Sequence, residues 1–160
     1  MKKSVLISLS SDAIIREVLA IAALNGLQYD TDDQKIPLLT TDQKPALLLQ
    51  AKGSLSTLLL HLLPHVASCN INDNLPDDGS DHLFQLELYL DCEATSSQIA
   101  TLRHSLEHTI ALDILYVCYM AHNSPLSDRY ATLAQASLND TLRLIDNTTR
   151  RFGKRVMNWL

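Results

Sequence analysis

Short apolar runs alternate with polar breaks along the chain, and the spacing inside each run predicts its element. "SVLISLS" (4–10) is rich in β-branched and apolar residues and short enough for a buried strand. From about Asp12 to Asn25, Ile14, Ile15, Val18, Leu19 and Ala22 recur at helical spacing, with Ser11 or Asp12 as cap and Gly26 as stop. "IPLLTT" and "PALLLQAKG", separated by the polar tripeptide "DQK", predict a hairpin. "SLSTLLLHLLPHV" predicts a second helix, opened by Ser54 or Ser56 and stopped near Pro64.

The turn-rich stretch "SCNINDNLPDDGSD" predicts a linker. Beyond it the runs read as helices over 81–92 (Leu83, Phe84, Leu86, Leu88, Leu90), 95–109 (Ile99, Leu102, Leu106), 110–122, 126–136, 137–148 and 151–160. The expected class is α/β plus all-α: a βαββα half over 1–67, a linker over 68–80, and an all-helical half over 81–160.

A length of 160 residues, 46% hydrophobic and 19% charged, fits one large or two small packed globular domains. No apolar run reaches the ~18–20 residues that span a bilayer. The first residues read as a strand entering a helix rather than a secretory leader. Cys69, Cys92 and Cys118 are odd in number and widely spaced, which predicts idle thiols in a reducing, cytoplasmic setting. The net charge of −5 excludes a generally basic surface, but its distribution is uneven. Residues 72–93 are acidic, whereas Arg150, Arg151, Lys154 and Arg155 make the end basic, so RNA phosphates would meet that end first. Four charges alone predict weak, salt-sensitive binding.

One position asks for an explanation. "IALDILYVCYM" (110–120) is almost wholly apolar yet holds Asp113, and an unpaired carboxylate in apolar surroundings is costly. A buried helix N-terminus would tolerate it, because free backbone N–H groups and the helix dipole favour negative charge there. With "KIPLL" (35–39), "LSTLLLHLL" (55–63) and "ALDILYV" (111–117), the chain resembles the glutathione S-transferase fold. The resemblance implies a thioredoxin-like first half, a cis bond before Pro37, and Asp113 opening the central helix of the second half. The family's Ser or Thr three residues before that aspartate is Ile110 here.

Transferase chemistry would need a hydroxyl near the end of the first strand and a Glu-Ser pair for the γ-glutamyl group. Ser8, Ser10 and Ser11 lie in the first place, but the second reads Leu55-Ser56, and leucine cannot hold an ammonium. A glutathione-dependent transferase with a serine-type site is the alternative reading. The better fit is the branch of this fold that works without glutathione, no cofactor being implied. Its members are attached to aminoacyl-tRNA synthetases, their scaffold and tRNA-binding proteins, and elongation factor 1B subunits. The resemblance thus implies a cytoplasmic interaction domain that pairs with other domains of its fold as homo- or heterodimer, with tRNA as a possible ligand and no membrane.

Two pairing surfaces follow. "LLLHLL" holds more apolar residues than one buried face needs, so Leu60 and His61 are expected to face outward. On 137–148, Asp140, Arg143 and Asp146 recur at three-residue spacing, ready either for charge pairing across a two-fold axis or for local pairing within the helix. "HSLEH" (104–108) matches a zinc-peptidase pattern. The apolar face of that helix leaves His104 and His108 roughly opposite, so a solvated face is expected and no metal. Trp159 is expected to pack a last helix or to anchor a partner.

Overall fold

The computed structural model describes residues 2–29, 36, 38–71, 83–91 and 94–149. They form a mixed α/β arrangement, mostly helical, in the order β1 (Lys2–Ser10), α1 (Ser11–Tyr29), α2 (Lys44–Leu62), β2 (Val66–Asn70), β3 (Leu83–Asp91), α3 (Ser96–Met120) and α4 (Ser124–Thr149). Single 3₁₀ turns, Thr41–Gln43 and Leu63–His65, flank α2.

β1 and α1 stand where the sequence predicts them, except that the cap is Ser10, since the expected Ser11 and Asp12 already lie in the first turn of α1. The Ser10 hydroxyl accepts a hydrogen bond from the Ala13 N–H (3.1 Å), capping α1. Gly26 does not stop α1, because the last turns are anchored from outside. Buried Asn25 meets the Tyr130 hydroxyl at 2.7 Å and the Tyr119 hydroxyl at 3.3 Å, and the two tyrosine rings stack at 5.7 Å.

The predicted hairpin over 36–53 is instead the entry to α2. Lys-Pro-Ala-Leu-Leu-Leu-Gln-Ala-Lys contains good helix formers and no β-branched residue, and Pro45 sits in the first turn, where its missing N–H costs nothing. A Lys44–Asp12 ion pair of 2.7 Å ties the start of α2 to that of α1.

The predicted helix over 81–92 is corrected to a strand over its described part. Phe84, Leu86, Leu88 and Leu90 are buried, while Gln85, Glu87 and Tyr89 face out. That strict alternation belongs to a half-buried strand and overrides leucine's preference for helices. β3 is also the middle strand, antiparallel to β1 on one side and β2 on the other, in the order β1-β3-β2. The β1 register runs unbroken from Lys2↔Asp91 to Ser10↔Leu83; the β2 pairing is shorter and irregular between Val66 and Ser68. A strand assigned to the second half thus completes the sheet of the first, and a boundary at 68–80 separates no sheet from helices.

The inner sheet face, with Ile7, Leu9 and the four buried residues of β3, packs against the helices in one continuous core. The outer face is open and carries Leu6, Tyr89 and Glu87. Hydroxyls of Ser4 and Ser68 hold the Glu87 carboxyl below the usual range.

The helices predicted over 95–109 and 110–122 are one, α3, opened by a Thr95–Gln98 capping box. Likewise 126–136 and 137–148 merge into α4, capped by buried Asn123, whose Oδ1 accepts from the Leu126 N–H. The two long helices share a ladder of hydroxyls. Ser105 meets Thr141 at 2.7 Å and Thr109 meets Ser137 at 2.7 Å, while Thr109 and Thr141 also donate to carbonyls one turn back. Pro37, the rest of the linker, residues 150–160 and Trp159 lie outside the described residues.

The alternation in β3 predicts an alternating sensitivity. Phe84→Ala should cost about 3–5 kcal/mol and Tyr89→Ala less than about 1 kcal/mol, read as urea midpoints at unchanged slope. Equal losses at both positions would contradict a half-buried strand.

Candidate functional site

α2 presents two distinct faces. Leu47, Leu48, Ala51, Leu55, Leu58 and Leu62 are buried. The outward face carries Ala46, Leu49, Gly53, Ser56, Leu60 and, just past the helix, Leu63, all of them exposed. Their steps alternate between three and four residues, the a/d spacing of a helix-pairing seam. Leu49 and Leu60 are each 67% exposed and Leu63 is 63% exposed. At the centre, nothing stands within 4 Å of a Cβ placed on Gly53. The Ser56 hydroxyl is turned back onto the Lys52 carbonyl at 2.9 Å, so it asks for no outside partner. The seam is small in the middle, at Gly53 and Ser56, with exposed leucines on either side of that centre.

The stretch Thr41–His65 is long and apolar enough to cross a membrane by length and composition, with 39% of its apolar window buried. The sequence reading set no run at that length, because it divided this stretch between a hairpin and a helix.

Next to the seam, α2, α3 and α4 enclose a cleft of about 260 Å³. Leu58, Ile110 and Leu138 contribute buried apolar surface, and His61 and Tyr116 also line it. Asp113 is part of this cleft and does not open a helix, since α3 begins at Ser96. Backbone N–H groups of a continuous helix interior are already bonded, so the expected N-terminal device is absent here. The Ser54 hydroxyl on α2 takes its place, donating to Asp113 Oδ2 at 2.5 Å. Half-burial beside a hydroxyl donor, rather than a helix dipole, lets the apolar run carry a carboxylate.

The other predicted positions fall in several places. Leu60 is on the seam, as expected of an outward residue, and His61 is exposed one face round, at the cleft. Arg143 donates to Asp140 at 3.4 Å within α4, the local alternative, and both are largely exposed. Asp146 meets His65 Nε2 at 3.8 Å, beyond the end of α2, and so turns from the row that the spacing suggests. Arg150, Arg151, Lys154 and Arg155 lie outside the described residues.

"HSLEH" works within the fold instead of facing solvent as a unit. Glu107 is buried and accepts the Ser10 N–H at 2.9 Å, joining α3 to the end of β1. His108 Nδ1 pairs with the Glu17 carboxylate of α1. His104 is exposed, and among the described residues no three His, Cys, Asp or Glu side chains are grouped to hold a metal. The sequence reading missed Glu17, Glu107 and Ser54 as partners, because each contact joins positions far apart in the chain. Burial pushes the Cys69 and Cys118 thiols up, which disfavours the reactive thiolate.

No protein-family model, curated protein or solved structure matches the chain.

The hydrogen bond to Glu17 raises the His108 imidazole above its ordinary value, against the opposing effect of burial. Because the folded value exceeds the unfolded one, this stabilisation is complete below about pH 6.5 and fades as pH rises through the raised value. Both groups are partly in solvent, so the amplitude should stay under about 1 kcal/mol. Thermal unfolding measured across that window should show the decline in the wild type and a flatter profile in Glu17→Gln; an identical slope in both would refute the assignment.

Proposed function

We propose that the chain is a non-catalytic interaction domain that docks other protein domains along the outward seam of α2. The observation that carries this reading is the unbroken a/d row from Ala46 to Leu63, exposed along its whole length. A monomer gains nothing from a heptad stripe on the wet side of a helix, whereas a second helix gains a continuous apolar contact.

The natural occupant is a helix with the same pattern, in another domain of this fold or a second copy of the chain. Antiparallel pairing about a two-fold axis sets Leu49 of one copy against Leu60 of the other. It sets Ala46 against Leu63 and Gly53 against Ser56. Small residues at the crossing let the backbones approach, and the leucines close the ends, so the surface is complementary to itself.

In this proposal the chain acts as a cytoplasmic, glutathione-transferase-like domain of the kind that assembles aminoacyl-tRNA synthetases and elongation factor subunits. That family-level part rests on the sequence segments around Pro37 and Leu60 and draws nothing from Asp113, which lies inside α3; the docking part rests on the seam. Any contribution to tRNA binding would come from Arg150, Arg151, Lys154 and Arg155.

Size-exclusion chromatography with light scattering tests the docking. Leu49→Asp and Leu60→Asp should each dissociate the self-assembled chain, or abolish recovery of a partner captured from the source cells. Their unfolding midpoints should stay within about 0.5 kcal/mol of wild type, because both positions are exposed. Assembly should persist in moderate salt, since apolar contacts are not screened. Unchanged assembly in both variants would refute the seam. RNA affinity that survives neutralising the four basic residues would refute their role.

A further inference from the structure

We propose that the cleft between α2, α3 and α4 is a binding site for a small organic cation, an ammonium or guanidinium group on a short apolar body. This proposal is independent of the seam and concerns a different face of α2. The cleft is concave, about 260 Å³, and built from three helices, which places its walls on rigid elements. On the α4 side Ala131 and Ala134 leave the space open, where longer side chains would close it.

Charge selects the ligand. Asp113 is half-buried in the lining, and its one hydrogen bond among the described residues is from Ser54. No Lys, Arg or His among them lies within ion-pair distance of it. His61 and Tyr116 are the other titratable side chains of the cleft, and neither is an acid that would compete for the cation. A carboxylate accepts several hydrogen bonds, so one donated by Ser54 leaves capacity for an N–H donor from the ligand. The apolar body would lie against Leu58, Ile110 and Leu138. An anion would face repulsion from Asp113, and a neutral alcohol would leave its charge uncompensated.

The test is an amide-resonance titration of the full chain with n-butylammonium, with n-butanol and n-butyrate as neutral and anionic counterparts. Butylammonium should give saturable shifts along 54–61 and 109–116, and the two counterparts should not. Asp113→Asn keeps an oxygen for the Ser54 hydroxyl and should weaken binding at least about tenfold. Ala134→Phe fills the cleft without touching the carboxylate and should abolish binding. If Asp113→Asn fails to fold, Ala134→Phe together with the three-probe comparison decides. The proposal is overturned if butylammonium does not bind below about 50 mM. It is equally overturned if butanol or butyrate binds as well, or if a folded variant retains wild-type affinity. Since neither change touches the seam, assembly should be unaltered in both variants.

Discussion

The uninterrupted length of α3 is the constraint from which the other contacts take their positions. At 1.5 Å per residue it extends over about 38 Å, and it meets a different partner on each side. Leu102, Leu106 and Glu107 are buried, with Glu107 fixing the last N–H of β1. Ser105 and Thr109 join α4, His108 joins α1, and Asp113 joins α2. Each of these polar links is made by a side chain set among or beside the helix's apolar residues, Glu107 and Thr109 being buried with them. They therefore fix direction and register, while leucine and isoleucine burial supplies most of the stabilisation.

Much of this was legible in the sequence, and the failures share a physical cause. β1 and α1 announce themselves through period and composition. Residues 83–91 carry the right signal too, with Phe84, Leu86, Leu88 and Leu90 at strict alternation, but leucine's helical preference competes with that pattern and hides the strand. The stretch from Lys44 is the opposite case: two apolar runs with a polar gap resemble a hairpin, yet residue types without β-branching favour a helix. Asp113 stands out in the sequence as an anomaly. Its solution was not local, because Ser54 lies on another helix, and no spacing rule connects the two.

The α2 seam shows a further limit of reading one periodicity at a time. Seven buried positions and an exposed a/d row coexist in the same helix, so the apolar residues exceed what either face alone would need. An amphipathic analysis looks for one stripe and finds the inner one. The outer one becomes visible only when burial has been assigned, after which the leftover leucines form a pattern of their own. The excess also explains why the segment has a membrane-like composition while being built into the core by Leu55, Leu58 and the Ser54–Asp113 hydrogen bond.

The order of the sheet has a consequence for how the chain is made. β1 leaves the ribosome ahead of its partner β3, which follows only after ~70 further residues, and closing so long a loop is slow. Until then Ile7 and Leu9 have no strand beside them, and α1 and α2 emerge with no α3 to cover them. The nascent chain therefore carries a bare strand and two sticky helices until β3 follows, a state that invites capture by holding chaperones. Arrival of β3 closes the sheet from both sides at once, and α3, next in line, seals it.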